Sequence, residues 1–98
     1  MQFVVTAYDG KGKLEERMRV RPRHLENMAA LGSSVVCAGG MLDEEGKPKG
    51  SVLVLDFESK DQLDAYLASE PYIAEKVWED VTVEPFNVVI VNGEKVGK

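Results

Sequence analysis

The sequence predicts one α+β domain built in the order strand, helix, strand, strand, helix, strand. Three observations carry that prediction. Short runs of β-branched and aromatic residues alternate with turn signals, two stretches place apolar residues at helical spacing, and the strands are apolar on both faces. At 98 residues the chain has the length of a single domain, 1–98.

Residues 3–8 are β-branched and aromatic, and Asp9-Gly10 closes them as the first strand. Residues 11–19 are charged, with Leu14 and Met18 four apart, and read as a helical turn or a loop. Pro22 is placed as the first residue of the first helix, where its missing amide proton would go unpaired in any case. On that register Val20 and Leu25 have the spacing of a hydrophobic staple. Leu25, Met28, Ala29 and Leu31 form the apolar stripe, and Gly32 supplies the left-handed residue that ends the helix. Residues 35–38 read as the second strand, 43–50 as a polar loop, and 52–57 as the third strand. Ser59 and Gln62 form a capping box before a second helix that buries Leu63, Tyr66 and Leu67. Glu70-Pro71-Tyr72 opens a short helix running to about Trp78. Residues 81–91 are strand-rich, with Pro85 marking a break or an edge. Residues 92–98 read as a flexible polar tail.

This order is the split βαβ, or ferredoxin-like, plan with a four-stranded antiparallel sheet. Two helices can cover only one face of such a sheet. Yet Leu53, Leu55 and Phe57 oppose Val52 and Val54 in the third strand, and Phe3, Val5 and Ala7 oppose Val4 and Tyr8 in the first. Something apolar must cover the second face. A second copy, giving a sheet-to-sheet homodimer, is the expectation, and a helix or the C-terminal tail folded across the face is the alternative.

Seventeen acidic and twelve basic residues give a net charge of -5, which disfavours a nucleic-acid partner. The lone cysteine, Cys37, allows no intrachain disulfide and reads as a small buried hydrophobe. There is no apolar run of membrane-spanning length and no signal-peptide pattern, so a cytoplasmic protein is expected. One histidine and one cysteine make no convincing transition-metal site. The glycines match neither the P-loop nor the dinucleotide spacing, so no metal, nucleotide or other cofactor is expected. Ser33 and Ser34 lie in no nucleophile-elbow pattern.

Several segments together resemble the YciI-like family. Arg21-Pro22-Arg23-His24-Leu25 resembles its RPxHL segment, and Ala38-Gly39-Gly40-Met41 its turn after the second strand. Gly50-Ser51-Val52 resembles the start of its third strand, Glu70-Pro71-Tyr72 its DPY motif, and Val83-Glu84-Pro85-Phe86 its VxPF ending. The resemblance implies a ferredoxin-like fold that dimerises into an α+β barrel. It also implies an enzyme that uses a histidine and an aspartate; a dehydrochlorinase of aromatic degradation is similar. The histidine maps onto His24. The aspartate maps onto Glu70, a departure that keeps the carboxylate and adds a methylene.

The candidate chemistry centres on His24. In a first helical turn the dipole would favour a neutral ring, able to act as a general base near neutral pH. The plainer reading is a histidine that satisfies a structural partner. Glu70 has two readings, a helix cap and a group that orients His24. Arg19, Arg21 and Arg23 are either a solvated basic edge or, with Arg21 foremost, an anion site. Tyr8, Asp9 and Tyr72 are candidates to line the same pocket. The expected function is a small-molecule enzyme of lyase, dehydrochlorinase or isomerase type acting on an anionic or aromatic molecule. The alternative is a non-catalytic ligand-binding or interaction module. A carboxylate within hydrogen-bond reach of His24, beside an open pocket, favours the enzyme.

Overall fold

Alternating apolar residues build one antiparallel sheet in the computed structural model, which describes residues 1–97. The elements are β1 (Gln2–Asp9), α1 (Leu14–Ala30), β2 (Val35–Leu42), β3 (Pro48–Asp56), α2 (Lys60–Ser69), α3 (Pro71–Ala74) and β4 (Trp78–Phe86). A two-stranded hairpin, β5 (Ile90–Val91) with β6 (Glu94–Lys95), follows. The sheet order is β2-β3-β1-β4, the expected ferredoxin-like topology. Central β1 pairs Phe3 with Leu55 on one side and Val5 with Val83 on the other. The period of two turns Phe3, Val5, Ala7, Leu53 and Leu55 toward the helices, where they form the core with Val20, Met28, Leu63, Tyr66, Tyr72 and Trp78. Val4, Thr6, Val52 and Val54 are half-buried on the opposite face.

Helix α1 departs most from expectation. It begins at Leu14, and Pro22 lies inside it. Glu15 and Glu16 occupy the first turn, where carboxylates suit the positive end of the dipole. Pro22 cannot donate to the Met18 carbonyl, but both residues are exposed, so water can take that bond. The staple does not form, because Val20 is fully buried while Leu25 is exposed. Gly32, at φ 57°, takes the expected left-handed conformation after the helix.

Ser59 caps α2, its Oγ accepting from the Gln62 amide at 3.3 Å. The Gln62 side chain reaches back one residue beyond the standard box, to the Glu58 amide at 2.9 Å. Strands β2 and β3 run several residues further into the hairpin than expected, and a bulge at Val36 and Cys37 shifts the register. Cys37 then pairs with Val54 and is exposed rather than buried. Strand β4 ends at Phe86, and Pro85 sits on this edge strand. The segment read as a frayed tail instead turns at Asn92-Gly93, both with positive φ, and closes the hairpin; Lys98 lies outside the described residues. Gln2 Oε1 accepts from the Val88 amide at 2.8 Å, and Val88, Ile90 and Val91 flank Val36, Cys37 and Val54 of the sheet's second face.

Candidate functional site

One face of α1 carries Arg17, Val20, His24 and Met28, all buried. Arg17, Arg21, His24 and Met28 recur at spacings of three and four, which stacks them along one stripe of an uninterrupted helix. His24 Nδ1 lies 2.6 Å from Glu70 Oε1, and Glu70 has no solvent exposure.

Local sequence places that carboxylate. Pro71 bars its predecessor from helical geometry, so Glu70 adopts φ -65°, ψ 120° and separates α2 from α3. From this corner Oε1 also accepts from the Tyr72 amide at 3.1 Å, so Glu70 caps α3 and engages His24 at once. Oε2 accepts from the Tyr66 hydroxyl. With Glu70 already accepting from the Tyr72 amide and the Tyr66 hydroxyl, the Nδ1–H tautomer of His24 completes the set of donors, and Nε2 is the nitrogen left outside the pair. His24 thus lies in the middle of α1 beside a buried carboxylate, not at a helix N-terminus. Burial and Glu70 push the Tyr66 phenol well above its ordinary range.

Aromatic packing fixes the ring. Tyr72 stacks on His24 with centroids 4.1 Å apart and planes 19° apart, and Trp78 meets His24 edge-on at 6.0 Å. The Arg17 guanidinium lies 4.8 Å from the Tyr72 ring centroid. Arg17 also grips Asp9 with Nη1 at 2.9 and 3.1 Å from the two carboxylate oxygens, and donates from Nη2 to Ser51 Oγ at 2.9 Å. Burial raises the Asp9 carboxyl above its ordinary range, against the opposing pull of Arg17. Burial likewise raises the Tyr72 phenol, while Arg17 and Arg21 pull it down.

His24, Tyr72, Arg17 and Arg21 border a cavity of about 350 Å³ between α1 and the β2–β3 hairpin. Leu25, Met28, Val35 and Leu53 give it apolar walls, and Gly39 and Gly40 line the β2 side. No acidic residue is among its lining residues, although the chain is acidic overall. Arg19 and Arg23 turn away to Glu16 and Glu75, as a solvated basic edge would. Arg21 has no ion-pair partner among the described residues.

Of the residues expected at the site, His24, Glu70, Tyr72 and Arg21 come together here. Asp9 is one step removed, holding Arg17. Tyr8 does not join them: it follows the core-facing Ala7 and stands 48% exposed on the other face of the sheet. Sequence reasoning missed Arg17, Ser51 and Tyr66. The stripe from Arg17 to Met28 was the available signal, hidden when Pro22 is taken as the helix start. Among the described residues no group of three or more His, Cys, Asp or Glu could hold a metal ion, and no helix is long and apolar enough to cross a membrane.

Fold and site define a ferredoxin-like α+β domain with a buried His–Glu pair at an arginine-rimmed cavity. The model of the YCII-related domain matches residues 1–87, and the chain belongs to this YciI-like family. Protein YciI of Escherichia coli O6:H1 is 33% identical over 97 residues, spanning 91% of this chain and 99% of the relative. Among solved structures, 5-chloro-2-hydroxyhydroquinone dehydrochlorinase (TftG) from Burkholderia phenoliruptrix, complexed with 2,5-dihydroxybenzoquinone, is similar with a TM-score of 0.81. Its identity is 22%, over 88% of this chain and 93% of that one. An antibiotic biosynthesis monooxygenase is similar with a TM-score of 0.58 and 13% identity, over 91% of this chain and 98% of that one. At these identities the two structures establish the shared fold.

Proposed function

We propose that this protein is a small acid/base enzyme of lyase, dehydrochlorinase or isomerase type, working without a cofactor on small anionic, ring-like molecules. The observation that carries the reading is the 2.6 Å contact between His24 Nδ1 and buried Glu70 beside an open cavity. Nε2 removes a proton from the bound molecule, and Glu70 stabilises the imidazolium that forms. Arg21, with Arg17 behind it, holds the negative charge, while Tyr72 and the apolar walls receive a flat ring. An anion benefits from a cavity lined by two arginines and no carboxylate.

The test uses chlorinated hydroxyhydroquinones as substrates, with halide release as the signal, and 2,5-dihydroxybenzoquinone as a binding probe. Both are suggested by the dehydrochlorinase relative in fold. His24→Ala is expected to lower turnover about 100- to 10,000-fold while leaving probe binding nearly intact. Binding without turnover across such a panel, unchanged by His24→Ala, would instead mark a non-catalytic binding module.

We further infer that two copies pair through the second sheet face, in the cytoplasm. The C-terminal hairpin lies against the Val36, Cys37 and Val54 part of that face, while Val4, Thr6 and Val52 remain only half-buried and Tyr8 stands exposed. Light scattering at micromolar concentration is expected to give twice the 10.8 kDa chain mass; a strict monomer would refute the pairing.

A further inference from the structure

Tyr66 lies one layer behind the cavity. It is 4% exposed, does not line the cavity, and touches it only through neighbours, its hydroxyl oxygen lying 3.1 Å from Met28 Sδ. The single hydroxyl proton has two possible acceptors, and the carboxylate outcompetes the thioether. Tyr66 therefore binds the one Glu70 oxygen that neither His24 nor the Tyr72 amide uses. Tyr66 and Glu70 sit four residues apart, at the end of α2 and just past it.

We propose that Tyr66 is a positioning residue that tunes how strongly Glu70 draws the proton onto His24. Its hydroxyl locks the carboxylate so that Oε1 faces Nδ1. By sharing the charge on Oε2, it weakens the pull of Glu70 on a protonated imidazole. Without it, a buried carboxylate oxygen has no donor, and the negative charge falls more heavily on the His24 side. The other groups around His24 are the same in every variant. Arg17 and Arg21 share its helix, Tyr72 comes from α3, and Asp9 of β1 is held by Arg17. Strands β3 and β4 bring Ser51 and Trp78, which do not titrate. This inference deepens the acid/base reading of His24, yet the proton affinity of the pair can be measured without any substrate.

The chain holds one histidine, so ring nitrogen NMR on tag-free, ¹⁵N-labelled protein reports His24 unambiguously. Tyr66→Phe is expected to keep the Nδ1–H tautomer and displace the pH profile of the ring signals to the alkaline side. The displacement should approach tenfold in proton concentration, as for loss of a hydrogen bond to a charged group. In the Glu70→Gln background the same change should have little effect, because the amide carries no charge to share. Placing 3-fluorotyrosine at position 66 keeps the shape and strengthens the donor, so it should move the profile to the acid side even if Tyr66→Phe fails to fold. Unmoved profiles in folded variants, or an equal Tyr66→Phe shift in the Glu70→Gln background, would overturn the proposal. A profile that moves while His24→Ala leaves turnover untouched would sink the catalytic reading and leave the Tyr66 role standing.

Discussion

Replacing Glu70 by Gln and by Ala separates the shape of this carboxylate from its charge. Glu70 is fully buried and accepts three hydrogen bonds, from His24 Nδ1, the Tyr66 hydroxyl and the Tyr72 amide. In Glu70→Gln the amide oxygen can still accept from Nδ1 and Tyr72. The amide nitrogen donates to the Tyr66 oxygen, whose own proton turns toward Met28 Sδ, 3.1 Å away. Each of the three groups bound to Glu70 keeps a partner, and the bonds fall from charged to neutral strength, a loss of about 1 kcal/mol each. Burying an amide in place of a charge offsets part of this, leaving a net cost of about 1–2 kcal/mol. Glu70→Ala strands the His24 and Tyr72 donors and leaves the Tyr66 hydroxyl only the weak Met28 sulfur, for a cost of about 3–5 kcal/mol. Urea denaturation with an unchanged m-value is the assay. Equal costs for the two variants, or a cost below about 1 kcal/mol for Glu70→Ala, would refute the view of Glu70 as the shared acceptor of the site.

Three further predictions follow from the same geometry. Arg17→Met leaves the Asp9 carboxylate buried without its partner and should destabilise by about 3–5 kcal/mol, with Asp9→Asn added to it recovering part of the loss on the same denaturation curve. Pro22→Ala restores a donor to the Met18 carbonyl on an exposed face and should stabilise the protein by about 1–3 kcal/mol; a lower urea midpoint would show that the proline conformation is required there. Burial raises the Tyr66 phenol, so its contribution to stability is complete below the ordinary value of 10.0 and is lost as pH rises above it. Urea midpoints should therefore fall above pH 10 more steeply in the parent than in Tyr66→Phe, and parallel curves would count against the assignment.

The fold was legible because its signals are local. The β-branched and aromatic runs in residues 3–8 and 52–57, the Ser59 cap and the Glu70-Pro71 corner each specify an element without reference to the rest of the chain. The candidate site was legible at His24, Glu70, Arg21 and Tyr72, through segments that resemble the family and that the fold brings together. What stayed hidden depends on tertiary compensation. Pro22 is a good helix start by propensity, and only the exposure of Met18 and Pro22 makes it tolerable inside α1. Reading it as a start conceals the turn that carries Arg17, and with it the buried Arg17–Asp9 pair. The period-two rule already turned Tyr8 away from Ala7, and it could have removed Tyr8 from the site. The bulge that exposes Cys37 has no comparable local mark, and Asn92-Gly93 was a readable turn lost within a polar segment.

The central place of β1 has a consequence for the order in which the molecule can be assembled. Gln2 pairs with Asp56 on one side and with Phe86 on the other. β1 is therefore made before either neighbour, and β4 is made after β3. Until both have paired with it, the backbone donors and acceptors of β1 form an open template for any passing strand. Such long-range pairings slow folding, because loop closure comes before the reward of contact. Local contacts are enough to start α1, but His24 gains its partner only once Glu70 packs against it, so the His24–Glu70 pair depends on a contact 46 residues apart in the chain.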